Sequence, residues 1–311
     1  MTIVTKRIVV GFVIAAAIAA AAASAAESSF PGRNGRIAFD TPLASNVDIY
    51  VMDADGSNVE QLTNDPRGDH DPRWSPDGER IVFVRKFSED QLNIFVMDAD
   101  GSDQTQLTFG QQRDELPSWT ADGRHVVFGS NRDGGGANYD LYVLEVSNPS
   151  TVTKFDDHPA LDNFAAAASR GDGVVFVSNR DPDGSFDLYK TKTKGGPVQR
   201  VTDSAIADTW PIWSPTGNDI AFDRLEEGDW DLYRTHADGT GLQQITDTAD
   251  RDEIAPAWSP DGGMLVYLNC QPGTNPQLCR LVLRKADGTG PETTLVASGA
   301  GAPDWGVATK R

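Results

Sequence analysis

Short apolar runs, each ending at an aromatic residue, alternate with polar turns along nearly the whole chain. Each run follows the same phrase, Trp-Ser-Pro-Asp-Gly, found at Trp74–Gly78 and Trp258–Gly262 with variants at Trp119–Gly123 and Trp213–Gly217. Alternation with period two between Asp-Gly turns predicts β-strands joined by hairpins. Each unit reads as four strands. Strand A is Pro-x-Trp-Ser, and strand B carries the aromatic. Strand C has the pattern Asp-Ile/Leu-Tyr-Val, and strand D ends in Leu-Thr.

The spacing from Trp74 to Trp119 and from Trp213 to Trp258 is 45 residues, the length of one propeller blade. Phe83, Phe128, Phe222 and Tyr267 each follow their tryptophan by nine residues. Phe176 follows Ala167 by nine, which marks a degenerate copy, and Phe39 heads a sixth. Strand C supplies Tyr50, Phe95, Tyr142, Tyr189 and Tyr233, with Leu281 in the last unit. Six B strands predict an all-β, six-bladed β-propeller of four-stranded antiparallel blades. The columns Trp74, Trp119, Trp213, Trp258 and Trp305 are structural, since stacked sheets bury both faces. The first copy begins at strand B, and Trp305 follows Trp258 by 47 residues. The C-terminal strand is therefore expected to complete the first blade and close the ring. Phe30, nine residues before Phe39, is the alternative for that slot.

Residues 1–25 read as a signal peptide and 26–311 as the propeller domain. Lys6 and Arg7 precede an apolar run from Ile8 to Ala23, and Ala23-Ser24-Ala25 is a small-x-small cleavage signature. The run is short for a membrane anchor. The absence of a nearby cysteine excludes a lipoprotein, and the absence of a twin-Arg pair favours the general secretory route. Losing the leader takes the formal charge from −19 to −21. So acidic a chain repels nucleic acid and anionic membrane and favours cations or basic partners. Cys270 and Cys279 lie in one loop of an exported chain, which predicts a local disulfide.

Pro-x-Trp-Ser-Pro-Asp-Gly, then Ile-x-Phe, then Ile-Tyr-Val-Met-Asp-Ala-Asp-Gly and Leu-Thr, resembles the PD40-type, WD40-like repeat of TolB-like propellers over essentially the whole mature chain. The resemblance implies a six-bladed propeller outside the cytoplasm that recognises other proteins. TolB proteins carry an α/β domain before the propeller, and no room exists for one between Ala26 and Ile37. The resemblance thus covers the propeller and leaves Tol–Pal partners open. The hydrolase domain that follows related propellers in prolyl-oligopeptidase-like peptidases does not occur before Arg311.

The A–B and C–D turns share one face of such a ring, and the variable D–A and B–C loops share the other, where recognition is expected. Five residues before each strand-A tryptophan position stand Asp69, Asp114, Asp162, Asp208 and Glu253, with Ala300 before Trp305. Two readings of this column stay open. The acids either converge on a cation, for which hard oxygen ligands suit Ca²⁺, or each caps its loop or pairs with a neighbouring-blade Arg85, Arg132, Arg180 or Arg224. Asp53–Ser57 and Asp98–Ser102 imitate the start of a calcium loop but lack its terminal Glu and read as hairpin turns.

The four histidines occupy different places in the repeat, and only His70 and His158 share a loop class. Neither a Gly-x-Ser-x-Gly elbow nor a phosphate loop is present. The expected function is a monomeric, non-catalytic module that binds a protein or peptide, with Trp210 and Trp230 as candidate anchors. A carbohydrate lyase or lactonase acting through His70 or His158 is the enzymatic alternative.

Overall fold

A computed structural model describes residues 30–41, 46–133, 138–272 and 279–309. The proposed leader, and parts of three B–C loops including Gly134, lie outside these. The first sheet contains β1 (Asn34–Thr41), β2 (Asp48–Met52) and β3 (Glu60–Gln61). The second contains β4 (Asp69–Trp74), β5 (Arg80–Ser88), β6 (Gln91–Asp98) and β7 (Thr105–Gln106). The third contains β8 (Asp114–Trp119), β9 (His125–Ser130), β10 (Asp140–Glu145) and β11 (Asn148–Lys154). The fourth contains β12 (Asp162–Ala167), β13 (Gly173–Ser178), β14 (Asp187–Lys192) and β15 (Gln199–Arg200). The fifth contains β16 (Asp208–Trp213), β17 (Asp219–Glu226), β18 (Asp229–His236) and β19 (Gln243–Gln244). The sixth contains β20 (Asp252–Trp258), β21 (Met264–Cys270), β22 (Arg280–Lys285) and β23 (Thr293–Val296). Finally, β24 (Pro303–Val307) returns to the first sheet, which has the order β24-β1-β2-β3. The protein is an all-β, six-bladed propeller.

Strand A lies at the inner edge of each blade. β24 packs on β4, β4 on β8, β8 on β12, β12 on β16, β16 on β20 and β20 on β24, which closes the circle. Trp305, not Phe30, fills the strand-A slot of the first blade, opposite Ile37. Phe30 is buried instead in the apolar cluster that holds Trp119, with Ala121 and Val307 packed against it. The Gly32 N–H donates to the Pro260 carbonyl at 3.1 Å. The segment before β1 therefore lies against the A–B end of the channel.

The repeated phrase is explained by its turn. Ser75 Oγ donates to Asp77 Oδ1, which also accepts the Glu79 N–H, and Gly78 takes a φ of +73°. Ser259 with Asp261 and Thr120 with Asp122 repeat it. All five column tryptophans are buried. The B aromatics face the C aromatics across the ladder, as at Phe222 and Tyr233, whose centroids are 6.0 Å apart. In the last blade Tyr267 pairs with Val282 and not with Leu281, which pairs with Leu268. In four blades strand D is only two residues long, and there an apolar residue and a threonine follow it. The threonine hydroxyl extends its ladder by accepting the strand-C N–H, Thr108 Oγ1 from Ile94 at 2.9 Å and Thr246 Oγ1 from Leu232 at 2.8 Å. Cys270 and Cys279 form a disulfide that ties β21 to the start of β22.

Candidate functional site

The acidic column stands at the start of strand A and is fully buried in all five blades. Asp208 receives two parallel bonds from Arg224, at 2.7 and 2.8 Å, and Asp69 receives the same pair from Arg85. Asp114 takes Arg132 at 2.8 Å and Ser130 at 2.6 Å, and Asp162 takes Arg180 at 3.0 Å. Each arginine comes from the acid's own blade, not from the neighbouring one as expected. Antiparallel pairing sets strand B directly across from strand A, so Asp208 faces Arg224 and Asp69 faces Arg85. In the third and fourth blades Ser130 and Ser178 occupy that facing position, and the arginine reaches back from two residues further on. Every one of these guanidiniums lies over the B and C aromatics of its blade, Arg224 at 5.5 Å from Phe222 and 5.1 Å from Tyr233. The column is thus part of a repeated acid–guanidinium–aromatic stack. Among the described residues no three His, Cys, Asp or Glu side chains come together as a metal ion would require.

Glu253 departs from this pattern, because Asn269 stands where an arginine would. Asn269 Nδ2 donates to Glu253 Oε1 at 2.7 Å, and Arg280 donates to Asn269. Burial, with Asp231 and Glu292 nearby, pushes the Glu253 carboxyl up to about 8. Burial also raises Asp162 to about 6, against the pull of Ser178 and Arg180.

Two residues into strand A the ladder shifts register in five blades. The residues there, Asp71, Leu116, Phe164, Trp210 and Ala255, have φ between +51° and +57°. Non-glycine residues in this region cost about 1–3 kcal/mol each and persist only where their surroundings hold them. Leu116, Phe164 and Trp210 are buried along one side of the channel, with Phe164 edge-on to Trp210 at 4.5 Å. Trp210 is therefore core and not an exposed anchor. Trp230 is half-buried and packs against the same cluster. No sequence pattern announces these bulges, since the residues that form them share no chemistry.

On the other side Asp40 and His70, both buried, approach to 3.5 Å. Burial alone would lower the His70 pKa, but the carboxylates around it, Asp40 foremost with Asp71 and Asp69, together raise it. His158 is half-buried and accepts the Ala160 N–H. His125 and His236 pair with Asp122 and Asp219 near the opposite face.

The D–A and B–C loops are braced. Tyr142 and Tyr189 donate from strand C to Asp133 and Asp181 in the B–C loops, and Tyr233 donates to Glu226 at the end of β17. Phe109, in the loop between the second and third blades, is 67% exposed. Gln112 Nε2 donates to its carbonyl at 2.9 Å, Gln91 Nε2 to the Gly110 carbonyl at 2.7 Å, and Arg113 to the Glu89 carbonyl. Among the described residues the other exposed large apolar ones, Val59 and Leu242, follow C–D turns.

Residues 135–309 match the family model for the TolB beta propeller domain, PD40, more than half of the chain. The chain belongs to the TolB beta-propeller family. Residues 36–167 also match the tricorn protease N-terminal beta propeller domain. The TolB fold is evident in solved structures: TolB from Acinetobacter baumannii superposes with a TM-score of 0.76 at 22% identity, over 89% of this chain and 68% of that one. A putative TolB from Agrobacterium tumefaciens gives 0.71 at 19% identity, over 86% and 91%. An oligogalacturonate lyase from Vibrio parahaemolyticus gives 0.57 at 13% identity, over 89% and 80%. No curated protein matches the sequence significantly.

Proposed function

We propose that this TolB-family propeller is an exported, non-catalytic module that binds a protein or peptide segment through its D–A and B–C loop face. The observation that carries the reading is Phe109: an exposed aromatic on a loop held by three side-chain-to-carbonyl bonds. A rigid apolar anchor ordered before binding is what recognition sites use, because little entropy remains to be lost. The opposite end of the channel presents near-identical turns and is lined by the Phe30–Asn34 segment, so variety is confined to one face. The acid column supports that face from below, and the cation it takes in four blades is its own arginine. The net charge of −19 favours a basic partner. Export rests on the leader, residues 1–25.

Cross-linking in the exported fraction tests this. Wild type is expected to capture a partner that Phe109→Ser loses, with both proteins melting at the same temperature. Equal capture by the two would count against this face.

A further inference from the structure

Asn34-Gly35 is the one Asn-Gly pair of the chain, and it forms no hairpin turn. It opens β1, where the ladder to β24 shifts register between Asn34 and Ile37. At such a bulge two residues face one and the extra residue is left unpaired. A Cβ on Gly35 would stand 2.6 Å from the Val307 carbonyl group, so only glycine fits. Asn34 is exposed, yet the last blade holds both ends of its amide. Its Nδ2 donates to Asp261 Oδ2 at 3.0 Å, and its Oδ1 accepts the Asp261 N–H at 3.1 Å. The flanking bonds from Gly32 to Pro260 and from Ala308 to Arg33 fasten the same seam between the chain's two ends and the sixth blade.

We propose that Asn34 is a deamidation site whose conversion loosens the closure of the ring. With no side chain on residue 35, no Cβ stands between its amide nitrogen and the Asn34 side chain. After losing its proton to a base, the Gly35 nitrogen attacks Asn34 Cγ. The new N–Cγ bond forms, the Cγ–Nδ2 bond breaks, and Nδ2 leaves as ammonia after taking up a proton. Water then opens the cyclic imide to aspartate or isoaspartate. The Asp261 N–H on Oδ1 stabilises the charge that grows on this oxygen during attack. The product sets a carboxylate against the Asp261 carboxylate where an N–H donor stood, and like charges at such distance repel. Isoaspartate also adds a methylene to the backbone of β1 beside β24.

The test ages the folded, full-length protein at mildly alkaline pH and maps its peptides by mass, alongside melting curves. Asn34 should convert ahead of the other asparagines, and the aged protein should melt below the fresh one. Asn34→Gln, aged in parallel, should keep its melting temperature, whereas fresh Asn34→Asp should reproduce the loss. Conversion at Asn34 in a urea-unfolded sample but not in the folded one would overturn the assignment of the site. Asn34→Asp melting like wild type would overturn its consequence.

Discussion

At the scale of single residues, the buried acids separate into two kinds. Asp69, Asp114, Asp162 and Asp208 each have a guanidinium, which offsets part of the cost of burying a carboxylate. Glu253 has an amide where the others have a guanidinium, and so it holds its proton until about pH 8. The sign of its effect follows. The folded state retains a proton that the unfolded chain releases near 4.5, so this group's contribution falls as pH rises from 4.5 to about 8 and levels off above. Asp162, raised to about 6, adds a smaller effect of the same sign. Glu253→Gln should therefore match wild type in acid and exceed it in melting temperature above pH 8. Identical pH profiles for the two proteins would show that Glu253 is ionised in the fold. The acid column was legible in the sequence because it recurs at a fixed distance from the tryptophan. Its partners were not. The arginines follow the acid by 16 residues in two blades and by 18 in two others, so no single column collects them, and only the pairing of strands A and B shows that they belong to the same blade.

Single elements show how a strand only two residues long is held. Strands β7, β15 and β19 are each followed, two residues on, by a threonine whose hydroxyl accepts a strand-C N–H that a longer strand would have served. The buried N–H of Ile94 depends on Thr108 in this way. Thr108→Val keeps the shape but removes the acceptor, and an unsatisfied buried donor costs about 1–3 kcal/mol. Urea unfolding should show that loss for Thr108→Val and much less for Thr108→Ser, which keeps the hydroxyl; a Val variant as stable as wild type would mean the N–H finds another partner. The Leu-Thr ending could be read from the sequence because it is local and repeated. The strand-A bulges could not, since a positive φ at Leu116, Phe164 or Trp210 is imposed by the packing of six strands around a channel and opposes the preference of each residue. Trp210 looks like a loop anchor in sequence for the same reason. Its bulge turns it into the cluster with Phe164.

The whole molecule depends on joining its two ends. β24 supplies what β1 lacks: Trp305 Nε1 donates to the Gly35 carbonyl at 3.1 Å, and the Gly301 N–H donates to the Asp40 carbonyl. On its other side Asp304 Oδ2 accepts the Trp74 N–H at 2.7 Å, and Gly306 lies so close to the Trp74 ring that a Cβ would approach it to 2.6 Å. Strand β24 is thus wedged between the first blade and the second. Ending the chain after Gly301 would expose the edge of β1, leave the Trp74 N–H without its acceptor and remove the buried Trp305, each a loss of about 1 kcal/mol or more. Because every blade leans on two neighbours, opening one seam also weakens the contact between the sixth blade and the first. The truncated protein should melt far below wild type and over a broader range, with exchange of strand amides spreading outward from β1 and β20. A truncated protein with a sharp, unshifted transition would show that the ring closes without β24, and that the first blade is stable with three strands.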